Sequence, residues 1–498
     1  MAIIIKPTPP PLHPILPCRA KRPPLQLPPS PLVCGQPGSS DAPCPTDVFP
    51  YLPAELHLRI IETIAARIPS IPNSEQGYDP LDLATLCACS LVCKLWLNTA
   101  RTGIWAGVRL SGRLRSMAFI DLLEAYACSY GLGPTACNDT EDVFHEKRCG
   151  RGTFSIPSFA SHIVYFSVRE TRGNPWDPKW LNDGLPYLAA HLMRVHTIEL
   201  ERVTWEYLSS RSRKACLESF RHVKELTLCG CTFRTAADMC EFLAEFDKLE
   251  TLTLDGIHYS RLDPPQWYLD TWADGQKCIR LPPAALKAVG MRGAPMETVL
   301  EWIMSGIEYR KETNDTKITS VKLGGVGIAE AEVVGRFLRE VGASLRELRV
   351  GFDQDFVERG DAFIDHIDLG QNVRLEELHI FGLVVPSPPL PDPLEEEPED
   401  QSASLTQLTS LLSSIRSPMR VLSLAMYPAD IRAMSTVDFE GLAGVFKKSE
   451  WAAVEEVRVV ISNKGECGLG RVVKQQLSVL DNRGVLRVSV GFDERQVL

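Results

Sequence analysis

Val223-Lys224-Glu225-Leu226-Thr227-Leu228-Cys229-Gly230-Cys231-Thr232-Phe233 is the stretch on which the reading of the fold turns. Val223, Leu226 and Leu228 follow the spacing Leu-x-x-Leu-x-Leu, and Cys231 and Phe233 fill the slots where that repeat template takes Asn or Cys and then an apolar residue. Apolar residues alternating with polar ones predict a strand that buries one face. Working outward, with Val, Ile, Met or Phe allowed, the spacing recurs at Ile163-Phe166-Val168, Val195-Ile198-Leu200, Leu249-Leu252-Leu254, Leu286-Val289-Met291 and Ile318-Val321-Leu323. It continues at Leu345-Leu348-Val350, Leu375-Leu378-Ile380, Met419-Leu422-Leu424, Val454-Val457-Val459 and Val485-Val488-Val490. One such triplet arises easily by chance, whereas a series spaced mostly by about 30 residues signals a repeated unit. Most copies lack the Asn or Cys, so the array is irregular.

Helical stripes fall between the triplets. Met239, Phe242, Leu243 and Phe246 form one, Val333, Val334, Phe337, Leu338 and Val341 another, and Leu405, Leu408, Leu411, Leu412 and Ile415 a third. A strand plus a helix can bury its apolar faces only against neighbouring units. The expected fold is therefore α/β: a short helical module followed by a curved, leucine-rich-repeat-like strand–helix solenoid. Its expected divisions are a proline-rich disordered tail over 1–46, the helical module over 47–110, a helical linker over 111–160 and the repeat domain over 161–498. An acidic, proline-rich loop is expected over 385–402.

Composition narrows the function classes. The chain has 498 residues, a hydrophobic share of 44% and a charged share of 23%, which is globular composition. A net charge of −10 argues against a nucleic-acid partner, since phosphate neutralisation needs a basic surface. No run of apolar residues is long enough to span a bilayer, and prolines from Pro7 onward break any apolar leader. A cytoplasmic or nuclear protein is expected, without a membrane partner. Fifteen cysteines, an odd number, then read as small apolar residues rather than as a disulfide framework.

The most specific local signal lies between Leu52 and Leu110. Leu52-Pro53-Ala54-Glu55-Leu56 opens a helix, with Pro53 suited to the first turn and Glu55 complementing the positive end of the helix dipole. The helix presents Leu56, Ile60, Ile61 and Ile64, and a second helical part carries Leu86, Leu91, Val92, Cys93 and Trp96. This segment resembles the F-box, whose pattern opens Leu-Pro-x-Glu-Leu/Ile and closes on Val-Cys-Lys/Arg-x-Trp. The matching residues are Leu52, Pro53, Glu55, Leu56, Ile60, Ile64, Leu91, Val92, Cys93, Lys94, Trp96, Ala100 and Trp105. The stretch from Arg67 to Asp82 is longer than the family's usual connection and is expected to be an extruded loop. A tail of leucine-rich repeats is what one large group of F-box proteins carries.

The resemblance implies a partner: an SKP-type adaptor, and through it a cullin–RING complex. The implied contact residues are Leu52, Pro53, Leu56, Ile60, Ile64, Leu91, Val92, Cys93 and Trp96, since a module this small cannot bury all of them within itself. It also implies a role, that of substrate-recognition subunit of an SCF-type ubiquitin ligase. The alternative is an interaction scaffold whose F-box does not direct ubiquitination. The unknown target protein is expected on the repeat strands, where residues beside the apolar positions face the concave side. These are Glu199, Glu201, Glu225 and Asp255 from earlier copies and Arg292, Lys322 and Arg349 from later ones, giving a face acidic at first and mixed to basic beyond. Trp267 and Trp272, on an insertion after the fourth triplet, are candidate anchors.

Catalytic signatures do not appear. There is no Gly-x-Ser-x-Gly, no Walker A loop and no His-Glu-x-x-His. Cys87, Cys89 and Cys93 lack a fourth ligand for a closed zinc site, so neither metal nor cofactor is expected and no residue is assigned to catalysis.

Overall fold

Residues 59–64, 80–91, 94–129, 159–170, 179–261, 280–310, 317–353, 363, 365–387, 405–430, 432–462 and 468–491 are described by the computed structural model. All belong to one unit spanning 54–498. The expected tail over 1–46 and the acidic segment beyond Ser387 lie outside the described residues, as do Trp267 and Trp272.

Among the described residues fourteen strands follow one another: β1 (Gly107–Ser111), β2 (Tyr165–Arg169), β3 (Thr197–Glu201), β4 (Glu225–Cys229), β5 (Thr232–Phe233), β6 (Thr251–Asp255) and β7 (His258–Tyr259), then β8 (Ala288–Arg292), β9 (Ser320–Val326), β10 (Glu347–Phe352), β11 (Glu377–Val385), β12 (Val421–Pro428), β13 (Glu456–Ile461) and β14 (Leu486–Val490). Twelve form a single sheet in chain order, while β5 and β7 pair with each other. The pairings among these strands are parallel, for example Leu226 of β4 opposite Leu252 of β6.

The helices among the described residues are α1 (residues 59–64), α2 (Pro80–Ser90), α3 (Lys94–Ile104), α4 (Gly112–Ser129), α5 (Lys179–His191), α6 (Ser210–Phe220), α7 (Ala236–Ala244), α8 (Met296–Tyr309), α9 (Ile328–Val341), α10 (Thr406–Ser414), α11 (Phe439–Val445), α12 (Leu469–Gln476) and α13 (Ser478–Asn482). Parallel neighbours require a crossover. Crossovers are right-handed, so when strand order follows chain order they carry their helices to one face of the sheet.

Burial agrees with that arrangement. In β3 and β6 the residues alternate between half-buried and buried. The parallel register turns the alternation into two apolar rows running across the sheet. One row reads Val108, Phe166, Ile198, Leu226, Leu252, Val289, Val321, Leu348, Leu378, Leu422, Val457 and Leu486. The other runs two residues further along each strand, through Leu200, Leu228, Leu254 and Met291. The three expected helical stripes fall at α7, α9 and α10, where Met239, Phe337 and Leu411 are buried in the same core.

All eleven triplets coincide with strands of the main sheet. The sheet, however, begins one strand earlier than they suggest, at β1 inside the stretch expected to be module and linker. Val108 and Leu110 occupy the second and third apolar slots, but Trp105 stands in the first, where the template does not take Trp. Trp105 packs on the main core, its ring tilted by 40° against that of Phe159 at 4.7 Å between ring centroids.

Past the strands, one backbone position repeats. Arg202, Gly230, Gly256 and Gly293 directly follow β3, β4, β6 and β8, and all have φ between 53° and 60°. They stack on one another, so a side-chain carbon at Gly256 would lie 3.8 Å from the Gly230 backbone. This left-handed turn releases the chain toward the helix layer, and Arg202 makes it at the cost a Cβ brings.

Candidate functional site

Among the described residues, two places hold the side chains expected to meet a partner. The first is the N-terminal helical segment. Ile61, Leu86 and Ala100 form a small core of their own, flanked by Ile64, Cys89, Trp96 and Ile104. On α1 the inward positions are Ile61 and Ile64, one helical turn apart. That register turns Ile60 outward, at 51% exposure, and Leu91 at the end of α2 is 86% exposed. Of the nine residues expected at an adaptor contact, Ile60 and Leu91 are thus open, while Ile64 and Trp96 contribute to the small core. Leu52, Pro53, Leu56, Val92 and Cys93 lie outside the described residues.

The second is the face of the sheet opposite the helices. Glu199, Glu201, Glu225, Asp255, Arg292, Lys322 and Arg349 all stand on it, at the half-buried or exposed positions between the apolar rows. Nearly all of these charges are engaged. Glu201 pairs with Arg169 at 3.1 Å and Arg202 at 3.4 Å, and Asp255 pairs with Arg292 at 3.4 Å. Glu199 accepts a hydrogen bond from the Tyr165 hydroxyl, and Thr197 Oγ1 donates to Glu225 at 3.1 Å. Burial and Glu199 together push the Tyr165 hydroxyl well above its ordinary range.

The expected acidic start of this face is diluted. Arg109 and Arg169 occupy open-face positions on β1 and β2, with the Arg109 guanidinium 5.6 Å from the Tyr165 ring centroid. Sequence reasoning left Arg109 out because β1 was not recognised, and it passed over Arg169 although that residue fills the same slot as Glu201, Asp255 and Arg292.

Farther along, charges concentrate on β9, β10 and β11. Glu347 stands opposite Glu377 and Arg349 opposite both Lys322 and His379. Arg349 Nε donates to Glu347 at 2.7 Å and Ser320 Oγ donates to it at 2.8 Å, while Glu377 is held by Arg420. Although desolvation opposes it, the hydrogen bonds from Ser320 and Arg349 hold the Glu347 carboxyl below its usual range. Burial, reinforced by Arg349, pushes the His379 imidazole down against the opposing pull of Glu347 and Glu377, and its Nε2 lies 3.7 Å from Glu377 Oε2. His379 was missed as a candidate although it fills the same slot of its triplet as Lys322 and Arg349 do in theirs.

Glu347, Glu377 and His379 bring their ligand atoms within 4.8 Å of one another, the one such group among the described residues. It does not suit a cation. Both carboxylates are already committed to arginines, and Lys322 and Arg349 stand alongside, where their charge would oppose a metal.

No family model and no curated protein matches this chain.

On the helix side, a groove of about 920 Å³ separates α6 from α7, floored by Trp205, Leu217 and Phe242. Its walls carry Arg and Lys with Asp and Glu, some paired, as Arg221 is with Asp247 at 3.6 Å. Its described lining residues include one hydroxyl, Ser210, and no cysteine or histidine. The buried thiols are inert: burial pushes Cys216, Cys231 and Cys240 up to about 12, far from the thiolate a nucleophile or metal ligand requires. No helix of the described residues is long and apolar enough to cross a membrane.

Proposed function

We propose that this chain is the substrate-recognition subunit of an SCF-type cullin–RING ubiquitin ligase. Its N-terminal helical segment acts as an F-box that adds to an SKP-type adaptor, and its sheet and helices act as irregular leucine-rich repeats that hold a target protein. The observation that carries this reading is the small helical core, Ile61 with Leu86 and Ala100, which leaves Ile60 and Leu91 open beside it. An apolar helix surface of that kind gains free energy only by meeting a partner.

The sheet supports the second half of the reading. Strands sit about 4.8 Å apart while packed helices need about 8–10 Å. Stacking strand–helix units with all helices on one face therefore bends the array into a solenoid with the strands on its inner, concave side. The open sheet face then becomes a concave receptor lined by Glu199, Glu201, Asp255, Arg292, Lys322 and Arg349. The chemistry contributed is proximity: a target held on one end of the complex meets the ubiquitin-charged enzyme at the other. No residue of this chain acts on a bond.

The test is capture of adaptor and cullin by the full chain, together with an Ile60→Asp plus Leu91→Asp variant and a Leu52→Ala plus Pro53→Ala variant. The reading predicts capture by the unaltered chain and its loss in both variants, with unfolding temperature retained. A failure of the unaltered chain to capture adaptor refutes it. Capture without any effect on the turnover of co-purifying proteins would instead mark a scaffold.

A further inference from the structure

Helix α4 is apolar on two sides, and the fold buries one of them. Ser116, Phe119, Ile120 and Leu123 face inward, and Ile120 Cδ1 lies 3.0 Å from where a side-chain carbon on Gly184 of α5 would stand. The opposite side carries Leu114, Ala118 and Leu122, each one helical turn from the next, with Met117 beside them. Leu114 is 87% exposed, Leu122 41% and Met117 40%. A surface helix ordinarily turns polar residues outward. No other helix among the described residues leaves more than one large apolar side chain this open.

The charges around the stripe point to what covers it. Arg113 and Arg115 stand in the first turn of α4, Asp121 and Glu124 in its second half, and all four are exposed. Cations at a helix start oppose the helix dipole, so this order does nothing for α4 by itself. It is, however, complementary to its own reverse. We propose that the outer face of α4 is a homodimer contact, on which α4 of a second copy lies antiparallel about a two-fold axis beside Ala118. Leu114 then meets Leu122 of the second copy, since each stands four residues from the centre, and the first-turn arginines run beside Asp121 and Glu124 of that copy. Ala118, the small residue at the centre, lets the two helices approach closely. A two-fold contact uses one patch twice and must match itself, and this stripe does so in both its apolar residues and its charges. A parallel pairing would set like charges side by side at both ends. One α4 pair, about 27 Å long for 18 residues, is smaller than a standard interface, so the association is weak. The proposal goes beyond the adaptor reading and does not depend on it.

The experiment is sedimentation velocity on the full chain. The expected result is a mass rising toward twice that of the chain between about 1 and about 100 μM, the range of a weak contact. Leu114→Glu, which buries a charge in the contact, moves that rise to at least about tenfold higher concentration. Arg113→Glu plus Arg115→Glu makes α4 wholly acidic, and Asp121→Arg plus Glu124→Arg makes it wholly basic. Both variants place their new charges where the dipole favours them, so α4 is kept. Each is expected to stay monomeric alone and to associate one to one when the two are mixed. The proposal is overturned if the unaltered chain remains monomeric throughout the range, if Leu114→Glu associates as strongly as the unaltered chain, or if the acidic and basic variants show no preference for each other. Adaptor capture is measured on Leu114→Glu as well. Its loss, with the unaltered chain monomeric, would assign the stripe to the adaptor and overturn the proposal, while a dimer that fails to capture adaptor would refute the adaptor reading alone.

Discussion

The N-terminal helices and the sheet array solve the same problem differently. Around the sheet, each unit buries its apolar face on its neighbours, so the core runs unbroken from Val108 to Leu486. In the helical segment, the buried apolar side chains among the described residues are Ile61, Leu86 and Ala100, and Ile60 and Leu91 are uncovered. The difference teaches that exposed apolar area is informative when the surrounding fold shows that burial was achievable. The array buries its apolar rows almost completely. The helical segment leaves Ile60 and Leu91 uncovered, which is what the proposed adaptor contact would use.

The largest expected effects test whether the two cores are independent. Leu254→Ala, in the middle of an inner row at zero exposure, should cost about 2–5 kcal/mol in urea unfolding of the array. Leu86→Ala removes a similarly buried side chain from the small core. It should abolish hydrogen-exchange protection over α2 and α3 while leaving the unfolding midpoint of the array in place. A common shift of both would show one cooperative core and break the comparison.

Next in size is the left-handed position after the strands. Gly230→Ala forces a Cβ onto a backbone at φ 60° and should cost about 1–2 kcal/mol. Arg202 already bears that strain. In Arg202→Gly the relief is offset by the added freedom of glycine in the unfolded chain and by loss of the pair with Glu201. The net change should stay within about 0.5 kcal/mol, and a large loss would show that the arginine side chain fixes the turn.

A smaller effect depends on pH. Burial raises the Glu170 carboxyl from 4.5 to about 7, so the folded chain holds this proton more tightly than the unfolded chain. The stability it contributes is full below pH 4.5 and fades as pH rises through 7. Glu170→Gln should therefore match the unaltered chain at pH 4 and exceed it at pH 8, by less than about 1 kcal/mol after solvent screening. An advantage that is equal at both pH values would mean that the carboxyl is not desolvated. The smallest expected change is in the stability of Ile60→Asp plus Leu91→Asp. Both sites are exposed, so the unfolding midpoint should move by no more than about 0.5 kcal/mol, which makes any loss of partner binding a surface effect.

Much of the array was legible because parallel pairing repeats a simple rule. Every triplet from Ile163-Phe166-Val168 to Val485-Val488-Val490 supplied a strand, since a buried face needs apolar residues at alternate positions whatever the neighbours are. The first strand was illegible because Trp105 does in one bulky side chain what a leucine does elsewhere. The open face was legible in placement only. The sequence shows Glu201 and Asp255 pointing away from the core, but their pairing with Arg169 and Arg292 depends on register between strands far apart in the chain. The same holds for Lys322, which finds Arg349 in register on the next strand. In the helical segment, the choice between Ile60 outward and Ile61 inward came from packing against Leu86 and Ala100, which periodicity alone does not decide.

The most direct test is hydrogen–deuterium exchange of the full chain with and without an SKP-type adaptor. The account predicts slowed exchange over residues 59–64 and 80–104, with the strands from β2 to β14 unchanged. Slowing confined to the sheet, or no change anywhere at saturating adaptor, would contradict it.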